Sequence, residues 1–392
     1  MRKNVLLKGI VLVVLLVSIA PEVFAQKSSQ LKYYDARELG LPVLGKGFDD
    51  CIRKNDTVSD GFYTRLPADI QNVVRKAVWD LGQNSAGLAI RFRTNSKCIG
   101  AEWEPLNNFG MSHMAATGVK GLDLYALTDG EWRFTGTAQP NGKNSRNIFI
   151  RKMDGSMREY LMYLPLYDGV IDLKIGIDSS AVIELPHVDD LLPVRPSATA
   201  AGNADIEELP IVFYGTSVTQ GGCATRPGMA YPALIERALH KETINLGFSG
   251  NGRMDKIMAD KIATIPASAY VIDCLANCTY SVVKDSTEYF IRTIAQANPQ
   301  TPIYMVSNYC YPYQDFDAEF QKDAAAENKL WKEFCDKFRK EGYKNIKYID
   351  VYANGNMKKS PLGPDHEGTV DGVHMTDLGF SRFAKYLLKW LK

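Results

Sequence analysis

From Leu209 onward the chain alternates short apolar runs with amphipathic stretches, and this alternation constrains its fold more than any other feature. Apolar runs stand at Leu209 to Tyr214, Thr243 to Leu246, Ala269 to Leu275, Pro302 to Ser307 and Ile346 to Val351. Tyr231 to His240, Val282 to Ala297, Phe316 to Glu341 and Asp377 to Leu391 carry apolar residues at helical spacing. Strands alternating with helices predict a parallel sheet covered by helices on both faces. Ligands of such sheets bind beyond the carboxyl ends of the strands. The residues that follow these apolar runs are therefore expected along one rim.

Residues 30 to 190 have a different pattern. In Gly87-Leu88-Ala89-Ile90-Arg91-Phe92-Arg93, bulky apolar residues alternate with small or charged ones, as in a half-buried strand. Short runs of this kind recur at Gly100 to Trp103, Leu122 to Leu127, Trp132 to Thr137, Asn147 to Ile150, Arg158 to Leu164 and Val170 to Ile177. Turn pairs such as Asp129-Gly130, Asn141-Gly142 and Asp154-Gly155 separate them. This reads as a β-sandwich of jelly-roll type. Pro193 to Glu208 is rich in Pro, Ala, Ser, Gly and Asn, without apolar periodicity, and reads as a linker. A chain of 392 residues accommodates two domains at roughly 100–200 residues each. The expected organisation is thus a β-domain over 26–192, a linker over 193–208 and an α/β domain over 209–392.

The first twenty-five residues read as a secretory signal: Arg2 and Lys3 lead, Gly9 to Ala20 is apolar apart from Ser18, and Val23-Phe24-Ala25 offers a cleavage site. The apolar core is shorter than the ~20 residues that span a bilayer. The expectation is an exported protein, periplasmic or secreted, cleaved near Ala25 and not stably inserted in a membrane. Losing Arg2, Lys3, Lys8 and Glu22 moves the formal charge from +1 to −1. A chain so nearly neutral gives no reason to expect nucleic acid as a partner, and suits a neutral or weakly charged small substrate. The sequence leaves the oligomeric state open.

Seven cysteines are present, at 51, 98, 223, 274, 278, 310 and 335, an odd count that leaves at least one unpaired within the chain. No Cys/His spacing of the zinc type occurs. Cys274 lies inside an apolar run and reads as a buried thiol, whereas Cys223, Cys278 and Cys310 fall in loops expected around one site, with Cys223 and Cys278 the pair expected to bridge if any does.

Four positions past the apolar runs carry chemistry when taken together. Ser217, in Tyr214-Gly215-Thr216-Ser217-Val218-Thr219-Gln220-Gly221, follows the first run. Its glycine spacing is not that of a G-x-S-x-G nucleophile elbow, and alone it would pass for a cap residue. Asp371-Gly372-Val373-His374 places a carboxylate three residues before an imidazole, close enough to hold one tautomer and support a general base. A serine needs such a base to become a nucleophile. Gly250 and Asn277 each follow an apolar run and can present a backbone N–H and a side-chain NH₂ to a developing oxyanion, with the Ser217 N–H as a third donor. Each element alone reads more readily as a turn or cap.

The ordered set resembles the SGNH (GDSL-like) hydrolase superfamily. Tyr214 to Ser217 is similar to its first block, Asn245 to Gly250 to its second, Asn277 to its third and Asp371 to His374 to its last. Two departures stand out: Thr216 where many members have Asp, and Ala276-Asn277-Cys278 in the third block. Gly121-Leu122-Asp123-Leu124-Tyr125 is similar to a Gly-x-Asp-Leu-Tyr signature found ahead of certain bacterial members. The resemblance implies a flavodoxin-like three-layer α/β domain behind a β-sandwich. It also implies a serine esterase with Ser217, His374 and Asp371 as the catalytic set and Ser217, Gly250 and Asn277 as the oxyanion hole, working without metal or organic cofactor. A short acyl group, acetyl above all, on a carbohydrate is the expected substrate. Tyr309, Tyr311 and Tyr313 are expected to overhang the site and stack on a sugar, and His113 to reach it from the β-domain. The competing readings are a carbohydrate-binding protein with an inactive hydrolase domain and a lipase-like enzyme for longer chains.

Overall fold

The computed structural model describes residues 31–51, 61–187 and 206–392. The expected signal, its cleavage site at Ala25 and the linker as far as residue 205 lie outside the described residues.

Five parallel strands form the second half's sheet, in the order Thr243–Gly247, Ile211–Gly215, Ala269–Asp273, Ile303–Val306 and Ile346–Ile349. The first strand in sequence lies between the second and third. Connections therefore leave it toward opposite faces, which opens a crevice beyond its carboxyl end. The three inner strands 211–215, 269–273 and 303–306 are buried along their whole length, as their continuous apolar runs require. Alternate side chains serve opposite layers. Ile211, Phe213 and Val271 meet Ile235 of helix Tyr231–Leu239 and Phe380, Phe383 and Leu387 of helix Asp377–Leu391. Val212, Tyr214 and Ile272 meet Phe290 and Ile294 of helix Tyr280–Ala297 and Trp331 and Phe338 of helix Ala318–Lys340. Side-chain caps set several helix starts: Asp317 accepts from the Phe320 N–H at 2.9 Å, and Thr376 from the Gly379 N–H at 3.4 Å. Helix Lys256–Ala263, which the sequence pattern does not separate from its surroundings, lies on the same face as helix Tyr280–Ala297.

The first half is a sandwich of two antiparallel sheets. One runs Leu31–Asp35, Val170–Asp178, Ile99–Pro105 and Ser145–Ile150; the other runs Ile183–Glu184, Ala89–Thr94, Arg158–Tyr163, Leu122–Thr128 and Glu131–Ala138, with Val43–Leu44 also paired to Ala89–Thr94. Phe92, Trp103, Leu124, Tyr160, Leu173 and Ile175 fill the space between. One stretch departs from the expected β pattern. Phe48, Leu66, Ile70, Val78 and Trp79, the last two on helix Lys76–Gly82, bury their side chains against Ile244, Leu246 and Ile262 of the parallel-sheet half. Arg65, 1% exposed, donates from that stretch to the carbonyls of Asn245 (3.0 Å) and Gly247 (2.9 Å). Apolar surface there is covered by the partner half, so period-2 patterning gives way.

Asp123 of the Gly-x-Asp-Leu-Tyr run also works across the seam. Fully buried, it accepts from Gly228 N (2.9 Å), Arg226 Nη1 (2.8 Å) and Thr137 Oγ1 (2.8 Å). All seven cysteines are free and buried. The expected Cys223–Cys278 bridge is not formed, because the two thiols belong to cores on opposite faces of the parallel sheet. Cys278 donates to the Cys274 carbonyl at 3.3 Å instead. No helix among the described residues is long and apolar enough to cross a membrane.

Candidate active site

Strand Ile211–Gly215 ends against strand Ala269–Asp273 so tightly that a Cβ on Gly215 would lie 2.0 Å from Thr219 Oγ1 and 2.4 Å from the Asp273 carbonyl. Only glycine permits this close turn. Thr216 then caps the short helix Ser217–Gln220, its hydroxyl accepting from the Val218 N–H at 3.3 Å. The position where related blocks carry Asp is thus filled by a residue able to cap. Ser217 sits at the first turn, 6% exposed, with its N–H unpartnered among the described residues.

Asp371 to His374 closes a turn over this serine. Asp371 Oδ1 accepts from the backbone N–H groups of Val373 (2.9 Å) and His374 (2.7 Å), and Oδ2 lies 2.7 Å from His374 Nδ1. The other ring nitrogen, Nε2, lies 3.0 Å from Ser217 Oγ. Burial pushes the Asp371 carboxyl up, but the hydrogen bonds from His374 and Val373 outweigh it and hold the group below the usual carboxylate range. The carboxylate therefore stays ionised against the imidazole at neutral pH, fixing the proton on Nδ1 and leaving Nε2 to accept.

Gly250 and Asn277 border the same serine loop. Phe248 donates its N–H to the Gly215 carbonyl at 3.0 Å, which seats the Gly247–Gly252 turn against the strand end. Gly250 has φ +68°, and a Cβ there would meet nothing within 4 Å, so glycine serves backbone conformation at an open surface. Asn277 Oδ1 accepts from the Gly252 N–H at 3.3 Å. That bond turns the amide so that its NH₂ is free, and among the described residues neither this group nor the Gly250 N–H has a partner. The arrangement offers a hydroxyl, a base with its orienter and three unpaired donors at one rim.

The tyrosine loop corrects the expectation for substrate stacking. Tyr309 is 1% exposed and Tyr311 5%, so neither overhangs anything. Tyr309 donates to the buried Asp273 carboxylate at 2.7 Å, where Tyr231 (3.0 Å) and Thr219 (3.3 Å) also donate. A buried carboxylate needs such donors, and they draw the tyrosine inward. Burial still pushes Asp273 up to about 6, with the three hydroxyls opposing. Tyr313 is half-exposed and stacks on Tyr311, with ring centroids 5.6 Å apart, beside the Gly372 turn.

His113 does reach the site. Its ring centroid lies 5.5 Å from that of His374. The loop carrying it is braced at Asp168, whose carboxylate accepts from Asn107 N (2.9 Å) and Asn108 N (2.8 Å).

Three neighbours of the site were not legible as such, and a fourth, Cys223, lies in a loop expected around it. Tyr167 of the sandwich donates its hydroxyl to the Ser217 carbonyl at 3.3 Å. Gln220 spans the seam, donating to the Leu166 carbonyl (3.0 Å) and accepting from Ser249 N (2.9 Å). Asp273 underlies the serine turn, and Cys223 adjoins His374. Of the three, only Gln220 carried a signal, as the polar residue one helical turn past Ser217.

Comparison with known proteins agrees with this architecture. Residues 208–392 match the model of the GDSL-like lipase/acylhydrolase family, and residues 31–183 match that of the GxDLY N-terminus of Esterase_SGNH_hydro-type. Among solved structures, a protein described as a GDSL-like lipase from Bacteroides ovatus is 34% identical over 92% of this chain and 96% of its own, with a TM-score of 0.78. A salicylyl-acyltransferase of a tetracycline biosynthetic pathway is 16% identical, covering 91% of this chain and 95% of its own, at TM-score 0.67. A family two carbohydrate esterase from Cellvibrio japonicus is 11% identical, covering 92% and 97%, at TM-score 0.55. The last two share the fold alone. Among curated proteins none matches.

Proposed function

The chain belongs to the GDSL-like lipase/acylhydrolase family, and from that premise we propose an exported serine esterase that removes short acyl groups, acetyl first, from carbohydrate. The observation that carries the reading is the 3.0 Å contact of Ser217 Oγ with His374 Nε2, backed by Asp371 at 2.7 Å from Nδ1. His374 takes the Ser217 proton as Oγ bonds to the ester carbonyl carbon. The negative charge that develops on the carbonyl oxygen is received by the N–H groups of Ser217 and Gly250 and the NH₂ of Asn277. The imidazolium then hands its proton to the departing alkoxide, leaving an acyl-serine. Water, deprotonated by the same imidazole, releases the acid and restores Ser217. General base assistance contributes ~10²–10⁴-fold, and each oxyanion donor roughly 2.7–4 kcal/mol.

The leaving alcohol must receive its proton from His374, so it sits on that side of Ser217. His113 stands there, 5.5 Å ring to ring. A second imidazole beside the base suits a polyhydroxylated leaving group, to which it can donate or from which it can accept. A family two carbohydrate esterase from Cellvibrio japonicus shares this fold, which supports the reading. The N-terminal pattern supports export.

The test is acetate release from a panel of acetylated polysaccharides, with Ser217→Ala as control and a nitrophenyl ester series for acyl length. Wild type is expected to release acetate, to react with a fluorophosphonate probe and to prefer short chains, and Ser217→Ala to do neither reaction. Acetate release equal in both proteins ends the esterase mechanism; a clear preference for long chains ends the acetyl assignment.

A further inference from the structure

The esterase mechanism has no use for Cys223, yet this thiol stands with the base and with His113. One ligating atom each of His113, Cys223 and His374 lie within 4.8 Å of one another. Three separate segments supply them. His113 lies in the Met111–Met114 turn of the sandwich, Cys223 follows the serine helix, and His374 ends the Asp371 turn.

The assembly is held firmly. The Cys223 N–H donates to the Met375 carbonyl at 2.9 Å, which ties the thiol segment to the residue after His374. Next to it, Thr225 donates its N–H to Asp377 Oδ1 at 2.9 Å. On the other side, Thr117 donates its hydroxyl to the Thr225 carbonyl. Gly118 packs so closely that a Cβ would lie 2.1 Å from the Ala224 carbonyl oxygen. Helix Ala116–Lys120, which follows the His113 turn, is thus packed directly on the thiol segment.

We propose that His113, Cys223 and His374 form a transition-metal site, taking Zn²⁺ through two imidazole nitrogens and one thiolate, and that filling it switches the esterase off. Zn²⁺ takes nitrogen at ~2.0–2.1 Å and sulfur at ~2.3 Å in tetrahedral array, so ligand atoms end up roughly 3.5 Å apart. The present spacing, within 4.8 Å, exceeds that by no more than about 1.3 Å. Two imidazoles and a thiolate select zinc over oxygen-seeking magnesium or calcium. His374 is already oriented as a ligand, because Asp371 holds Nδ1 in the carboxylate–imidazole pairing that presents Nε2 to a metal. The fourth position remains for water or Ser217 Oγ.

Binding is a ligand exchange without oxidation or reduction. The Cys223 thiol gives its proton to solvent as the S–Zn bond forms. Each imidazole contributes a lone pair, and His374 keeps its Nδ1 proton on Asp371. Ser217 keeps its hydroxyl proton, because the Nε2 lone pair that accepted it now belongs to the metal. The base is lost while nucleophile and oxyanion donors stay in place. The inhibition half of this proposal rests on the esterase reading above; the binding half does not.

The experiment uses the purified protein, stripped with a chelator and titrated with Co²⁺ as the spectroscopic probe and then Zn²⁺. The expected result is a thiolate-to-cobalt charge-transfer band that saturates at one ion per chain, is displaced by Zn²⁺, and is absent in both Cys223→Ala and Cys223→Ser. His113→Ala is expected to weaken metal binding at least about tenfold. With nitrophenyl acetate, Zn²⁺ should abolish wild-type turnover and EDTA restore it. In each Cys223 variant, the zinc concentration for half inhibition, relative to its own metal-free rate, should rise about tenfold or more. Absence of the band in wild type overturns the proposal, as does inhibition at equal zinc in wild type and both variants, or activation by zinc. If Ser217→Ala retains full esterase activity, the esterase reading falls while the cobalt band still decides the site.

Discussion

Asp371 contributes through where its two oxygens point. Oδ1 satisfies two backbone N–H groups and Oδ2 meets His374 Nδ1. Asp371→Asn keeps the shape but presents an NH₂ where an acceptor is needed, driving the imidazole to the wrong tautomer. We expect kcat to fall by about 10⁴-fold with KM little changed, measured on nitrophenyl acetate. Asn277→Ala removes a donor whose amide is already oriented by Gly252 N. A loss of ~10²–10³-fold in kcat is expected, and a loss confined to KM would contradict an oxyanion role. Thr216→Ala should cost about 1 kcal/mol of stability through the lost cap, read from the urea midpoint.

Helix Ala116–Lys120 has five residues and would be marginal by itself; its place is fixed by contact with the Cys223–Thr225 loop. Gly118→Ala puts a methyl group into the Ala224 carbonyl. The expected result is a destabilisation of roughly 1–3 kcal/mol together with a raised KM for a carbohydrate ester, because His113 rides on the same segment. A change in stability with unaltered KM would separate His113 from substrate binding. The Gly-x-Asp-Leu-Tyr strand likewise joins the two halves. Asp123→Ala leaves Arg226 and the Gly228 N–H without their buried acceptor. A loss of about 3–5 kcal/mol is expected, measured by urea unfolding.

Across the whole molecule, the two halves share a buried seam of charge. Glu236 on helix Tyr231–Leu239 is buried beside Glu242, Arg237, Arg91 and Tyr163, and Glu242 accepts from Gly45 N at 2.7 Å. Burial first, then Glu242, pushes the Glu236 carboxyl up to about 8. An acid raised in the folded state binds more protons there than when unfolded. Stability should therefore fall as pH rises from the unfolded value near 4.5 through about 8, and level off above. The contribution approaches ~1.4 kcal/mol per pH unit within that window. Thermal unfolding at pH 6 and pH 8 should show the higher Tm at pH 6. Glu236→Gln should shrink the difference and stabilise the protein most at pH 8; an unchanged difference would assign the pH dependence to other groups.

The sequence by itself determined the class and most of the elements, though not helices Lys76–Gly82 and Lys256–Ala263. Continuous apolar runs at Ile211–Gly215 and Ala269–Asp273 are short and rich in β-branched or aromatic residues, which favours strands covered on both sides, and their alternation with amphipathic helices points to a parallel sheet as the way to bury both. It also singled out Ser217, Gly250 and Asn277 as residues at strand ends that converge in such a sheet, and Asp371 and His374 as a carboxylate–imidazole pair completing an order that resembles the SGNH hydrolases. Tertiary structure decided what depends on partners distant in sequence. Tyr309 turned inward because Asp273, from another strand, needed a donor. Cys223 and Cys278 were kept apart by the sheet that lies between them. Residues 62–82 left the β pattern because the other half supplied their cover. His113 met His374 across the seam between the halves, where Gly118 packs on Ala224. Periodicity records which face of an element avoids water; it carries no record of which distant surface does the covering.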